Sequence, residues 1–306
     1  MVERVNKLIN ISLATSTNNV YKRAWTLFAE CMKNMKINFK GLENIPLTIS
    51  QIVTFIGYLS CKGFSGSTIT SYITAIGYIH KILNKSNPTT STIVQKMLAS
   101  CNKLHSTIDN RLPITLNILH KLNNALKYTI KEHYFQSLFR AMYTFAFFGL
   151  MRLAEITQEV NGLVPLLFNQ VELTSSSIIV KIKNFKHNKS LENFQIVLQK
   201  QKDSSICPVI QLVNYIKMRG SQQGPLFRFP DGTPLTRHYF NEQLRNTLQF
   251  IGLNTNLYKS HSFRIGGATY YAELGLSDAQ LRTLGRWKSE AFLRYIRTQR
   301  MNLAMN

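Results

Sequence analysis

The sequence predicts a mainly helical protein of two domains, the second carrying a small antiparallel β-sheet (an α+β domain). Three observations predict it. Apolar residues recur at helical spacing through the first hundred positions. An unpatterned segment with a proline, residues 105–113, then interrupts them. Between about 170 and 198 the period shortens to that of strands rich in Val, Ile and Phe. The boundaries read as a helical domain over 1–104, a linker over 105–113 and a second domain over 114–306, a reasonable division of 306 residues.

The first domain reads as four amphipathic helices. Val20, Ala24, Phe28 and Met32 form the first stripe, behind the polar run 16–19. Ile52, Phe55, Ile56 and Leu59 form the second, with Thr48 and Ser50 as cap candidates. Ile69, Tyr72, Ile73, Ile76 and Ile79 form the third, and Val94, Met97, Leu98, Cys101 and Leu104 the fourth. Glycines 63 and 66 and the run 84–88 punctuate the third helix. Off its isoleucine stripe lie Thr68, Ser71 and Thr74. That face reads equally as solvated or as one laid in a nucleic-acid groove with its hydroxyls near phosphates.

In the second domain, 114–127 and 134–158 read as helices, and 170–173, 177–185 and 194–198 as strands. Residues 186–190 form a polar hairpin tip. From Pro208 the chain reads as helical again, except for the turn at 230–234.

Charge narrows the function. There are 37 Lys and Arg against 15 Asp and Glu, a net charge of +22. Residues 1–105 hold 12 bases and 3 acids, and the remainder 25 and 12, so the excess is not a tail. A polyanion touching both domains accounts for this better than a membrane surface. No apolar run is long enough to cross a bilayer, and the polar N-terminus has no leader-like apolar core, so a soluble intracellular protein is expected. The cysteines at 31, 61, 101 and 207 lack metal-finger spacing and read as reduced, mostly buried thiols. No metal or cofactor site is expected.

The remaining signal is a set of reactive side chains in fixed order. Arg152 and Glu155 are three apart, as are His261 and Arg264, so each pair shares a helix face. Trp287 and Tyr295 follow. Two guanidinium forks can grip the non-bridging oxygens of a phosphodiester and supply the charge a metal would otherwise give. A tyrosine can attack the phosphorus and later leave, so the bond energy is conserved in a covalent ester. Singly, each residue has an ordinary reading: a surface ion pair, an accidental His-x-x-Arg, a packed tyrosine. Glu155 reads as orienting Arg152 or a neighbouring helix.

The segments 149–155, 185–189, 261–268, 285–289 and 292–297 resemble those of the tyrosine recombinases, the phage-integrase-like family. Within that family they are similar to the Crypton and DIRS-like recombinases of eukaryotic mobile elements. The resemblance spans 149–297, and the helical N-terminal segment resembles the family's core-binding domain. It implies a C-shaped clamp of two domains around double-stranded DNA. It implies a 3′-phosphotyrosine intermediate, a tetramer on paired sites that is a monomer or weak oligomer when free, and no cofactor. Arg152 and Arg264 match the phosphate-gripping arginines, His261 the acid/base and Tyr295 the nucleophile. Trp287 stands where many members have histidine, and can donate a hydrogen bond but not carry a proton. The hairpin lysine that protonates the departing 5′ oxygen matches Lys186, with Lys183 and Lys189 as competitors. The interval from Trp287 to Tyr295 is one residue shorter than in many bacterial members.

Candidate DNA contacts besides these are Arg237, Lys259, Arg286 and Lys288. Arg286 and Lys288, like Arg294 and Arg297, read equally as solvent charges. Two rival functions stand: a type IB topoisomerase-like DNA relaxation, and an inactive domesticated DNA-binding protein. A nuclear location follows if the eukaryotic resemblance holds.

Overall fold

The computed structural model describes residues 13–104, 109–159, 164–182 and 194–297. The chain separates into two compact units, 1–109 and 110–306.

The first unit is built from four helices, α1 (Thr15–Asn34), α2 (Ile49–Cys61), α3 (Gly66–Ile82) and α4 (Thr92–Leu104). Their apolar faces meet in one core that includes Phe28, Phe55, Ile56, Ile73, Ile76 and Leu98. Each fully buried Phe or Leu contributes about 1.5–3 kcal/mol. The stripes depart from expectation at their ends. Val20 and Leu104 are exposed, and Leu27 and Cys31 complete the α1 face instead. Thr48 caps α2, and Gln51 closes a capping box. Ser65 caps α3. Buried His80 of α3 ties down the loop before α2: Leu47 N–H donates to its Nε2 (3.0 Å), and its Nδ1 lies 2.9 Å from the Ile76 carbonyl.

The second unit surrounds α6. Its helices begin with α5 (Leu116–Thr129) and α6 (His133–Phe148), the latter buried along most of its length. A short helix, α7 (Leu153–Ile156), follows. The strands β1 (Val171–Leu173), β2 (Ser177–Ile182) and β3 (Phe194–Gln199) form an antiparallel sheet in the order β1-β2-β3. Register pairs Ile178 with Leu198 and Val180 with Ile196, which places those four side chains together in the core. Then come α8 (Pro208–Arg219), α9 (Arg237–Phe250), α10 (His261–Glu273) and α11 (Asp278–Gly285), and a 3-10 turn over Glu290–Arg294.

The boundary between the units falls inside 105–113, and the chain that follows is tied to the second unit: Leu112 N–H donates to the Leu257 carbonyl (2.8 Å), and Ile114 N–H to that of Ser262 (3.0 Å). One expectation needs correction. The helix expected over 134–158 breaks after Phe148. Gly149 caps it, Leu150 takes a left-handed conformation (φ 45°), and Arg152 starts α7 in extended backbone. The apolar pattern runs through this break, so periodicity alone missed it. What holds it is tertiary. Tyr271 Oη donates to the Phe148 carbonyl (2.9 Å), and the Arg264 and Arg286 guanidiniums donate to that of Leu150.

Candidate active site

The break after α6 exists to receive α10. A Cβ at Gly267 would lie 2.2 Å from the Phe147 carbonyl oxygen, and one at Gly266 would lie 1.8 Å from that of Ile114. Two glycines therefore let the α10 backbone approach the end of α6 and the chain at Ile114 more closely than any side chain permits. His261 and Arg264, in the first turns of α10, are delivered against residues 150–152.

Arg264 is fully buried. It donates to the carbonyls of Leu150 and Gly285, and its guanidinium lies 4.3 Å from the Trp287 ring centre and 5.6 Å from that of Tyr295. Burial, then the nearby charges of Arg152 and Arg286, push its pKa down to about 9, so it remains a cation at neutral pH. Its Nε has no hydrogen-bond partner among the described residues, and neither has Trp287 Nε1. A buried N–H without an acceptor is costly, so both donors are suited to an anion that arrives later.

Tyr295 follows the 3-10 turn, in a stretch that the sequence reads as helical. Its ring packs between His261 and Trp287, each 5.0 Å away centre to centre. Thr269 fixes the backbone there, donating from its hydroxyl to the Tyr295 carbonyl (3.2 Å) and accepting from Arg297 N–H (3.0 Å). Nearby tyrosines are otherwise engaged. The Tyr271 phenol is raised by burial and bonded to the backbone, and Tyr270 packs on Phe147 and Phe148.

Glu155 organises the other arginines. Its Oε1 accepts from Arg152 Nη1 (2.9 Å); its Oε2 accepts from Arg152 N–H (2.9 Å) and from Arg286 Nη2 (2.7 Å). Burial alone would raise this carboxyl, but Arg286 and Arg152 outweigh it and hold it below the ordinary carboxylate range. Arg152 keeps about a quarter of its side chain exposed, on the wall of a cleft of about 700 Å³. Arg111, Arg237, Arg245, Lys259 and His261 line the same cleft, with Glu242 the one acid beside them. Arg237 is partly spent on an ion pair with Glu159. Sequence reading missed Arg111 and Arg245, because a single arginine in a linker or on a polar helix face carries no pattern.

Arg286 corrects its reading as a DNA contact or solvent charge: its side chain is fully buried against Glu155. Lys288 is exposed, beside a second recess of about 390 Å³ shared with Arg282, Trp287 and Phe194. Lys183, Lys186 and Lys189 lie outside the described residues. Of the described strand residues on either side of them, Phe194 borders the Trp287 recess and Ile182 shares a smaller one with Glu155. In the first unit, Ser71 and Thr74 are exposed on α3 and Thr68 is half-buried. Ser71 and Thr74 donate their hydroxyls to carbonyls one turn back, and Thr68 shares its own with Ser65, so a phosphate would have to compete for them.

Among the described residues, no group of three or more His, Cys, Asp or Glu is placed to hold a metal ion, and no helix is long and apolar enough to cross a membrane. No protein-family model matches this chain. A curated relative, an integrase/recombinase xerD homolog of Selenomonas ruminantium, is 22% identical over 312 residues, covering 96% of this chain and 84% of its own. Among solved structures, the Tn1549 transposon integrase in complex with transposon right-end DNA superposes with a TM-score of 0.66 at 13% identity, over 97% of this chain and 94% of that one. XerH recombinase in a post-cleavage complex with palindromic difH gives 0.64 at 17%, over 90% and 75%. A lambda integrase tetramer bound to a Holliday junction gives 0.63 at 12%, over 97% and 76%. These structural likenesses speak for the fold. The chain thus has the fold of these recombinases and integrases, is similar to the curated relative over most of both chains, and brings Arg264, His261, Trp287 and Tyr295 together beside Arg152.

Proposed function

We propose that this protein is a site-specific DNA recombinase or integrase that cuts and rejoins duplex DNA through a 3′-phosphotyrosine at Tyr295. The observation that carries the proposal is the packing of Tyr295 between His261 and Trp287, beside a buried arginine with an unused donor. Arg152 and Arg264 hold the non-bridging oxygens, and Trp287 Nε1 adds a neutral hydrogen bond. His261 takes the phenolic proton as Tyr295 Oη attacks phosphorus. The P–O5′ bond breaks, and the departing 5′ oxygen takes a proton from the hairpin lysine, Lys186 by the resemblance. A 5′-hydroxyl of the partner strand then attacks the phosphotyrosine, and the phenol recovers its proton. One P–O bond forms for each that breaks, so no nucleotide cofactor is consumed.

The relatives named above support the wider reading. Double-stranded DNA is the partner, and a homotetramer on paired sites carries two rounds of exchange through a Holliday junction. Residues 1–104 serve as the core-binding segment, 105–113 as the connection and 114–306 as the catalytic segment. Integration or excision of a mobile element is the biological setting, with a nuclear site of action if the Crypton and DIRS-like similarity reflects origin.

The test is a nicked suicide duplex bearing candidate element ends, incubated with chelator. An SDS-resistant protein–DNA band in wild type, absent in Tyr295→Phe with binding retained, is expected. Binding without a band in either protein would favour the inactive DNA-binding alternative. Relaxation of supercoils without strand exchange between two duplexes would favour the topoisomerase alternative.

A further inference from the structure

The reaction as described uses two arginines, yet the site holds three. Arg286 is as buried as Arg264, and four features distinguish it from an incidental neighbour. It ends α11 in a left-handed conformation (φ 56°), a position where glycine is the usual residue. Its Nη2 makes the shortest of the three bonds to Glu155, at 2.7 Å, and reaches the Leu150 carbonyl at 3.2 Å. Glu155 is also the carboxylate that grips Arg152, through both guanidinium and backbone N–H. Finally, Arg286 directly precedes Trp287, whose N–H closes the end of α11 on the Arg282 carbonyl (2.9 Å). One side chain thus joins the turn that presents Trp287 to the break that presents Arg152.

Charge accounts for the arrangement. Glu155 faces three guanidiniums, those of Arg152, Arg286 and Arg264, the last acting only at a distance. With Arg286 present, the carboxylate is held from behind, and Arg152 can turn part of its fork toward the cleft without leaving a buried charge unpaired. Without Arg286, Glu155 would have Arg152 as its one direct ion-pair partner and would draw it inward, away from a phosphate.

We propose that Arg286 is a positioning residue: held by Glu155 behind the site, it sets how far Arg152 reaches toward the scissile phosphate and anchors the turn that carries Trp287. The inference rests on the recombinase reading above.

The test compares Arg286→Met, Arg152→Ala and the wild type on suicide duplexes. Each duplex carries, at the scissile position, either the natural phosphate or one of the two methylphosphonate diastereomers. In these, a neutral methyl replaces one non-bridging oxygen. Thermal melting reports folding, and DNA affinity is read separately from single-turnover cleavage. Arg286→Met is expected to bind within a few-fold of wild type and cleave natural DNA about 100-fold more slowly, the scale of an ångström's misplacement. The diastereomer that restores cleavage by Arg152→Ala should restore Arg286→Met as well. A merely structural residue would show no preference between diastereomers, and a direct phosphate ligand would follow the other one; either result overturns the inference. If Arg286→Met does not fold, Arg286→Lys decides. Lysine is one bond shorter and lacks the second arm that Arg286 extends to the Gly149 and Leu284 carbonyls, so slower cleavage with the same diastereomer response is expected. Wild-type cleavage by a folded Arg286→Lys overturns the inference. No adduct from the wild-type protein on any duplex would overturn the functional reading and this inference with it. An active wild type with the wrong diastereomer response overturns this inference alone.

Discussion

Two groups of arginines sit in the second unit, and they are built differently. Arg219 donates to the carbonyls of Gly220, Gln222, Pro225 and Leu226, and lies 4.4 Å from the Phe168 ring centre. Arg228 joins it by donating to the Arg219 carbonyl and to Gln222 Oε1 (2.9 and 3.0 Å). No acid is ion-paired to either among the described residues. Here guanidiniums act as multi-pronged donors that pin the loop after α8. Of the buried nitrogens of this pair, Arg228 Nε is without a partner among the described residues.

The second group, Arg152, Arg264 and Arg286, has a carboxylate at its centre, aromatic rings on one side and a basic cleft on the other. Its donors are incompletely used. The contrast teaches that burial of an arginine does not by itself mark a site. What marks it is unspent hydrogen-bonding capacity in a cluster that also borders a cleft lined by cations.

Substitutions can break this contrast. The largest effect is expected for Arg264→Lys, which keeps a charge but loses the fork. Single-turnover cleavage should fall about 10²–10³-fold with DNA binding reduced far less. Arg219→Ala should do the opposite. Orphaning several buried carbonyls should lower stability by about 3 kcal/mol in urea titration, with cleavage per folded molecule unchanged. Lost cleavage without lost stability in Arg219→Ala would erase the distinction.

Gly285→Ala probes the aromatic side, because a Cβ there would lie 1.8 Å from the Trp287 ring. With Trp25→Phe in the background, Trp287 is the sole indole. Its emission should shift as it is displaced, and cleavage should drop about tenfold, the loss of one hydrogen bond to a charged group. Unchanged emission would mean that the turn absorbs the methyl elsewhere.

The smallest effect concerns pH. The folded pKa of Glu155 is lowered, so its stabilisation is complete above the unfolded value, about 4.3, and is lost as pH falls through the folded one. The stability difference between wild type and Glu155→Gln should therefore be flat from pH 7 to about 5 and shrink only below. A difference that already shrinks at pH 6–7 would contradict the ion-paired arrangement.

Legibility in the sequence followed the range of the forces involved. Local periodicity revealed α1 to α5 and the three strands, and Thr48 as a cap. The break at 149–152 was invisible, because side chains more than a hundred residues away hold it. Arg286 was misread for the same reason: its acid, Glu155, lies 131 positions earlier. Arg152, His261, Arg264, Trp287 and Tyr295 were legible as chemistry in a fixed order. Their meeting came from glycines whose role appears only when α10 touches α6. Tyr295 fell in the stretch read as helical from Pro208, whereas the chain here takes a 3-10 turn.

The central claim is the identity of the nucleophile, and peptide mapping tests it most directly. Wild-type protein trapped on a suicide duplex would be digested after glutamate, the DNA trimmed, and the remaining nucleotide adduct located by mass spectrometry. The peptide that begins at Ala291 contains a single tyrosine, Tyr295. The account predicts the adduct there. An adduct in the peptide that holds Tyr258, Tyr270 and Tyr271 would contradict it.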